Sequence, residues 1–280
     1  MKFLKLHSTC AMAVVGALAA AAPVASQAQS ASDDWKYTAT IYGWLPSFGG
    51  DVSVPTGPRG GGGGNASVGV NMSDVLDSLN FTFMGMLTAD KGRWGMGTDI
   101  IYLDLGSSNN KTRDLSFNDI ELPAAVTARV NFDLTGWLWT IDGTYLVIDD
   151  PDHPMKVLAG ARMFDLSTDV KWQLEGEIAG LPLPGRNGSA DGSETIWDAI
   201  IGVKGQVKFG EDKKWFVPYY LDVGTGDSDV TWQGMLGAGY AFEWGDLVAV
   251  WRYLDYNMPS GDVLENLDAN GAAIGVTFHF

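Results

Sequence analysis

The chain has 280 residues, 18 basic against 34 acidic side chains and a formal net charge of −16. That acid excess argues against nucleic acid or an anionic surface as a partner. Beyond the N-terminal segment no stretch approaches 18 consecutive apolar residues, which excludes a membrane-crossing helix.

The N-terminal segment has the layout of an export signal. Lys2 and Lys5 precede an apolar run, Ala11 to Ala22, that is too short to span a bilayer. Ser26-Gln27-Ala28 then sets small residues where a signal peptidase reads. Residues 1–28 are therefore expected to be a signal peptide cut after Ala28, and residues 29–280 a single domain. The one cysteine, Cys10, precedes the apolar run, so lipidation there is not expected. Removing the segment leaves a cysteine-free chain, suited to crossing an oxidising compartment unfolded, and carries the net charge to about −18.

The remaining sequence alternates apolar and polar residues with a period of two. Side chains alternate across a strand, so this pattern predicts strands with one apolar and one polar face. Ten segments carry it: 35–45, 80–89, 93–106, 124–148, 155–172, 195–209, 214–225, 229–244, 246–258 and 268–280. In the first, Trp35, Tyr37, Ala39 and Ile41 oppose Lys36, Thr38, Thr40 and Tyr42. A long connection, 46–79, follows. Its glycine run, Gly60–Gly64, lacks a following Lys-Ser/Thr and so is no phosphate cradle. Ser73–Leu79 reads as one amphipathic helical turn capped by Ser73. In 124–148 the apolar parity switches near Thr135-Gly136, from Val130, Phe132 and Leu134 to Trp137, Trp139 and Ile141. A β-bulge or a division into two strands would each produce that switch. In 195–209, Trp197, Ala199, Ile201 and Val203 oppose Asp198, Gly202, Lys204 and Gln206. The last segment sets Ala272, Ile274, Val276, Phe278 and Phe280 on one face and Ala273, Gly275, Thr277 and His279 on the other.

The repeated apolar face fits lipid, and the repeated small and polar face fits an interior. The fold expected is all-β: a single transmembrane antiparallel up-and-down β-barrel of about ten strands, with eight or twelve as the alternative counts. Short connections (90–92, 149–154, 210–213, 245) alternate with long ones (46–79, 107–123, 173–194, 259–267), with only Gly226–Ser228 breaking the rule, the habit of outer-membrane barrels with short periplasmic turns. Trp35, Trp94, Trp215 and Trp244 flank the short turns and would form an aromatic girdle. Leu236 lies mid-strand on the lipid parity, where arginine should be costly, whereas arginine at Thr231 is expected to be far milder.

Charged residues of both signs fall on the inward parity: Lys36, Asp99, Asp142, Arg162, Asp198, Lys204, Asp222 and Arg252, with Lys208 and Glu243 beside them. Opposite charges in a narrow lumen pair, because an unpaired one loses its hydration. A mixed-sign interior therefore reads as a salt-bridged plug rather than a one-sign selective pore. Lys204 has Asp198 on its own strand and Asp222 on the next as candidate partners. His153 and His279 lie at turn-side ends without a nucleophile nearby, so no enzyme is expected. Asp149, Asp150 and Asp152 read as a solvated acidic turn, with no metal or cofactor.

Several motifs are familiar. Gly160-Ala161-Arg162-Met163-Phe164-Asp165-Leu166, Asp222-Val223-Gly224, Ser228-Asp229-Val230-Thr231-Trp232-Gln233 and Trp251-Arg252-Tyr253-Leu254-Asp255-Tyr256 resemble a broad group of uncharacterised proteobacterial outer-membrane barrel proteins, similar in plan to the OmpA and OmpW small barrels. The closing pair Phe278 and Phe280 resembles the signature that barrel assembly machinery reads. The resemblance implies a Gram-negative outer-membrane address, with lipid, lipopolysaccharide and the assembly machinery as partners. It brings no agreed activity. The expected role is a structural or interaction barrel, or a narrow small-solute conduit with an ion-paired lumen. The alternative is an outer-membrane lipid-modifying enzyme.

Overall fold

The computed structural model describes residues 34–55, 63–70, 72–106, 126–178, 181–182, 186–259 and 264–280. The expected signal peptide with Cys10, the connection 107–123 and part of the glycine run lie outside the described residues. In chain order the elements are β1 (Lys36–Pro55), β2 (Gly63–Val70), α1 (Met72–Ser78), β3 (Leu79–Lys91), β4 (Trp94–Gly106), β5 (Val126–Ile148) and β6 (Met155–Ile178). They continue with β7 (Leu181–Pro182), β8 (Arg186–Phe209), β9 (Trp215–Gly226), β10 (Val230–Ala241), β11 (Asp246–Asn257) and β12 (Leu264–His279).

All but β2 and β7 of these strands form one closed antiparallel barrel, ten in number as the alternation predicts. Each pairs with the next in the chain. The barrel closes where β12 meets β1, in register from Thr38↔His279 to Asp51↔Asn266. The amide of Phe280 donates to Tyr37 O and that of Tyr37 to Phe280 O, extending the seam by one residue. No open edge is left along the wall, which is what a sheet in lipid requires. One seam is locally weaker. Between β9 and β10 the partners run through Leu236↔Tyr219 and resume at Gly239↔Phe216, with no pair for Val217 and Pro218. Pro218 has no N–H to give the ladder.

The two ends of the barrel differ. At one end the turns are short, and Gly92 and Gly210 adopt positive φ (59° and 85°) that tight reversals require. At the other end two segments expected as loops are strands. β1 runs on to Pro55 and pairs with β2, while β6 and β8 stay paired as far as Leu174↔Arg186. The reason is that hairpin ladders there satisfy the backbone without lipid or lumen to impose an alternating pattern. Apolar periodicity is therefore silent about them.

The parity switch in β5 also has a cause other than the bulge or break expected. The strand is continuous, and its register against β4 passes from Asp133 to Trp137 without a shift. Trp137, Trp139 and Ile141 face out; Leu138, Thr140 and Asp142 face in. Leu134 keeps the inward parity and packs with Val75, Leu103 and Leu105. What changes along β5 is the chemistry of the interior, not the phase of the strand.

Outward, the wall presents Ile41, Leu87, Ile141, Ile201, Leu236 and Ile274, each more than two-fifths exposed. Aromatic rings border this belt on both sides. At the short-turn end Trp94 packs on Tyr145, Trp215 on Tyr240, and Trp244 on Phe242. At the other end Trp137 packs on Tyr102, Trp139 on Trp197 and Trp232 on Tyr253. Trp232 and Tyr240 lie on one strand about 27 Å apart by strand rise. Allowing for strand tilt, that fits an apolar band of about 25 Å. Two girdles around an aliphatic belt on a closed sheet are the surface of a transmembrane barrel.

Candidate functional site

The lumen is layered, and the layers follow from which residue each strand turns inward. From the short-turn end, a cavity of about 480 Å³ comes first. A charged layer roofs it. Above that layer Trp44, Met84, Ile101, Leu138, Ile196 and Leu254 form an apolar layer. Higher still, Val75 of α1 is buried against Leu103 and Leu105. The inward face is thus small and polar only near the short turns, and aliphatic farther along. A uniformly polar interior, as the alternation of small residues implied, is not what the barrel has.

Arg252 is the centre of the charged layer. Its side chain is 2% exposed. Nη1 donates to Asp99 Oδ2 and to Tyr42 Oη, both at 3.1 Å, while Nε and Nη2 donate to Gln233 Oε1 at 3.2 and 2.7 Å. Tyr42 Oη in turn donates to Asp99 Oδ1 at 2.5 Å. The guanidinium lies 4.9 Å over the Trp44 ring, an additional cation–π contact. Four strands, β1, β4, β10 and β11, are tied together by this one side chain.

Arg162 and Asp222 form a second pair, both fully buried, through Nη2 and Oδ2; Arg162 Nε also reaches Thr140 Oγ1 at 3.4 Å. The third pair is Lys204 with Asp142, at 2.8 and 3.1 Å to the two carboxylate oxygens. A fourth, Lys156 with Asp90 at 2.6 Å, stands nearer the short turns. Gly97 makes room for the third: a Cβ there would come within 3.2 Å of Asp142 Oδ2 and 3.4 Å of Lys204 Nζ.

The eight sequence-proposed lumen residues therefore divide. Asp99, Asp142, Arg162, Lys204, Asp222 and Arg252 meet as three ion pairs. Asp198 is buried but holds the backbone, accepting from Ser228 N at 3.0 Å and so anchoring the β9–β10 turn. Lys36 stands exposed at the short-turn rim, outside the charged layer. Glu243 is exposed in the β10–β11 turn. Neither candidate partner takes Lys204. Asp198 is six positions along the same strand, about 20 Å away. Asp222 is occupied by Arg162. Sequence reading passed over Gln233, Tyr42, Trp44 and Lys156. Their inward parity was the available signal, but nothing in it says which charge each would face.

The two described histidines sit at the short-turn end, His279 against Asp246 at 2.9 Å and His153 beside Asp150. Asp150 accepts from Asp152 N and His153 N at 2.8 and 3.0 Å. These hydrogen bonds hold its carboxyl below the ordinary aspartate range. The helical turn expected at Ser73–Leu79 begins at Met72, so Ser73 lies within it; Met72 N donates to Ser47 Oγ at 3.2 Å.

No protein-family model and no curated protein matches the chain. Solved structures do. The outer-membrane protease OmpT of Escherichia coli aligns over 91% of this chain and 99% of its own, at 9% identity and a TM-score of 0.51. Neisserial surface protein A aligns over 88% and 97%, at 11% identity and a TM-score of 0.28. A Pseudomonas aeruginosa FadL homologue aligns over 88% and 89%, at 10% identity and 0.23. The OmpT likeness is one of fold.

Proposed function

We propose that this chain is an outer-membrane barrel with a closed lumen, serving as a structural or interaction element rather than as an open pore. Its short-turn end faces the periplasm and its extended hairpins face outward. Its partners are the lipid around the apolar belt, lipopolysaccharide at the outer rim and the assembly machinery that inserts it. One observation carries the reading: the paired charges of Arg252, Arg162 and Lys204 lie directly beneath a mainly apolar layer. A hydrated ion meets cations that already have their counter-charges and, above them, a constriction that replaces little of its hydration. The test is reconstitution of the wild-type protein in planar bilayers alongside membrane fractionation. Recovery with the outer membrane and an absence of discrete conductance steps are expected; large, ion-selective steps would overturn the closed-lumen reading.

A further inference from the structure

The cavity beneath the charged layer is two-sided. Phe216, Pro218, Met235, Val248 and Val250 on β9 to β11 make one flank mainly apolar, with Tyr219 and Thr277 also lining it. The opposite flank carries hydroxyls from Thr38 and Thr40 on β1, Thr88 on β3, Thr98 on β4 and Thr140 on β5. The segregation follows from strand order, because neighbouring strands supply neighbouring wall.

The basic groups around this space are already engaged. Lys204 is held by Asp142, Lys156 by Asp90 and Arg252 by Asp99, while Asp246 hydrogen-bonds the His279 ring. An anion entering would find no unpaired positive charge to replace its hydration. The threonines are partly engaged: Thr38 and Thr88 meet at 2.7 Å, Thr40 and Thr277 at 2.8 Å. Each hydroxyl has one donor and two acceptor positions, so each pair retains capacity for a ligand. The volume falls in the range that encloses a small molecule.

From this arrangement we infer that the cavity is a binding site for a small uncharged amphipathic molecule, entering at the short-turn end. Its apolar side lies against Phe216, Met235 and Val250, and its hydroxyl or amide groups lie against the threonines of β1 and β3. The inference rests on the closed-lumen reading only in that the charged layer forms the roof.

The test uses the full barrel in lipid nanodiscs, with empty nanodiscs as the blank. The probe is 4-methylumbelliferyl β-D-glucoside, an uncharged molecule with an apolar ring and a hydroxylated portion, followed by fluorescence anisotropy. A saturable rise is expected with the glucoside and none with 4-methylumbelliferyl phosphate, its anionic counterpart. Met235→Trp fills the apolar flank and Thr40→Val removes a hydroxyl at nearly constant volume; each should weaken binding by about tenfold or more. Heat-modifiable gel mobility confirms that both variants are folded, and either alone suffices if the other fails to fold. The inference is overturned by a wild type with no saturable rise, by equal binding of the phosphate, or by titrations unchanged in a folded variant. Bilayer recordings on the same preparation keep the two readings apart. Conductance steps in the wild type sink the closed lumen whatever the probe does, whereas a silent bilayer with no probe binding sinks this inference alone.

Discussion

Lys204 Nζ reaches Asp142 across an intervening strand, from β8 past β6 to β5, at 2.8 Å. The two residues are 62 apart in the chain. Asp142 is 8% exposed and Lys204 about a fifth, so neither charge is readily rehydrated if the other is lost. Lys204→Ala should therefore destabilise the barrel by about 2 kcal/mol, and adding Asp142→Ala should return part of that loss. Urea unfolding of the four proteins of this cycle in lipid vesicles gives the coupling directly. A coupling near zero would mean that the pair is solvated and contributes nothing to closure.

Arg252 offers a sharper contrast, because geometry as well as charge is at stake. Its guanidinium contacts Asp99, Tyr42 and Gln233 in one plane over Trp44. Lysine keeps the charge but cannot make the forked contacts. Arg252→Lys is expected to cost about 3 kcal/mol, more than Lys204→Ala. Unfolding midpoints within experimental error of wild type would show that the fork is dispensable and that charge alone holds the layer.

These two sites mark how far the sequence could be read. The faces of several strands were legible because alternation is local: Asp198, Lys204 and Asp222 can be set inward from their immediate neighbours, whereas apolar residues on both parities of their strands leave Arg162 and Arg252 less plainly placed. The partners were not legible. Which inward charge meets which depends on barrel stagger and on glycine gaps such as Gly97, and neither is encoded near Lys204. The upper interior was misread for a related reason. An inward Leu134, Leu138 or Leu254 resembles a lipid-facing residue until its strand is phased against the whole barrel. Thr231 shows the practical consequence. It is inward as expected, but fully buried, with Oγ1 donating to Asp255 O at 2.8 Å. Arginine there overfills the lumen and removes that bond, so the mild outcome expected of it gives way to a costly one.

The lipid-facing position remains a clean probe of depth. Leu236 is 60% exposed and central on the outward face of β10. Leu236→Arg should cost about 2–4 kcal/mol if the site is near the bilayer midplane, against about 1 kcal/mol or less close to the headgroups. Folding titrations in vesicles of defined thickness distinguish these depths. A cost that does not change with bilayer thickness would remove Leu236 from the apolar belt.

At the short-turn end, the Asp150 carboxylate is stabilised by the amides of Asp152 and His153. Its titration in the folded protein therefore lies below that in the unfolded chain. The sign follows: the turn's contribution is complete above the unfolded value near 3.9 and is lost as pH falls through the folded one. Asp150→Asn retains an acceptor for the same amides and should remove this acid dependence, while Asp150→Ala weakens the turn at every pH. NMR titration of the Asp150 carboxyl provides the check, and a midpoint at or above the ordinary aspartate value would contradict the assignment.

The last prediction separates the two barriers in the lumen. If the ion pairs alone blocked conduction, breaking Lys204–Asp142 would open a path. The apolar layer argues otherwise. Trp44, Ile101, Leu138, Ile196 and Leu254 remain in place when Lys204 is shortened, and Phe164 stacks on Tyr256 at 5.3 Å beside them. Water and ions avoid such a constriction because it offers nothing to replace hydration. Lys204→Ala should therefore lower stability without producing conductance. Leu254→Ala alone should also stay silent, because Arg252 and its partners lie beneath it. Only the combination Arg252→Ala with Leu254→Ala, which removes the centre of the charged layer and the apolar side chain two positions along the same strand, is expected to give discrete current steps. Single-channel recording of the three variants tests the sequence of barriers. Steps from Lys204→Ala alone would make the ion pairs the sole gate and reduce the apolar layer to packing.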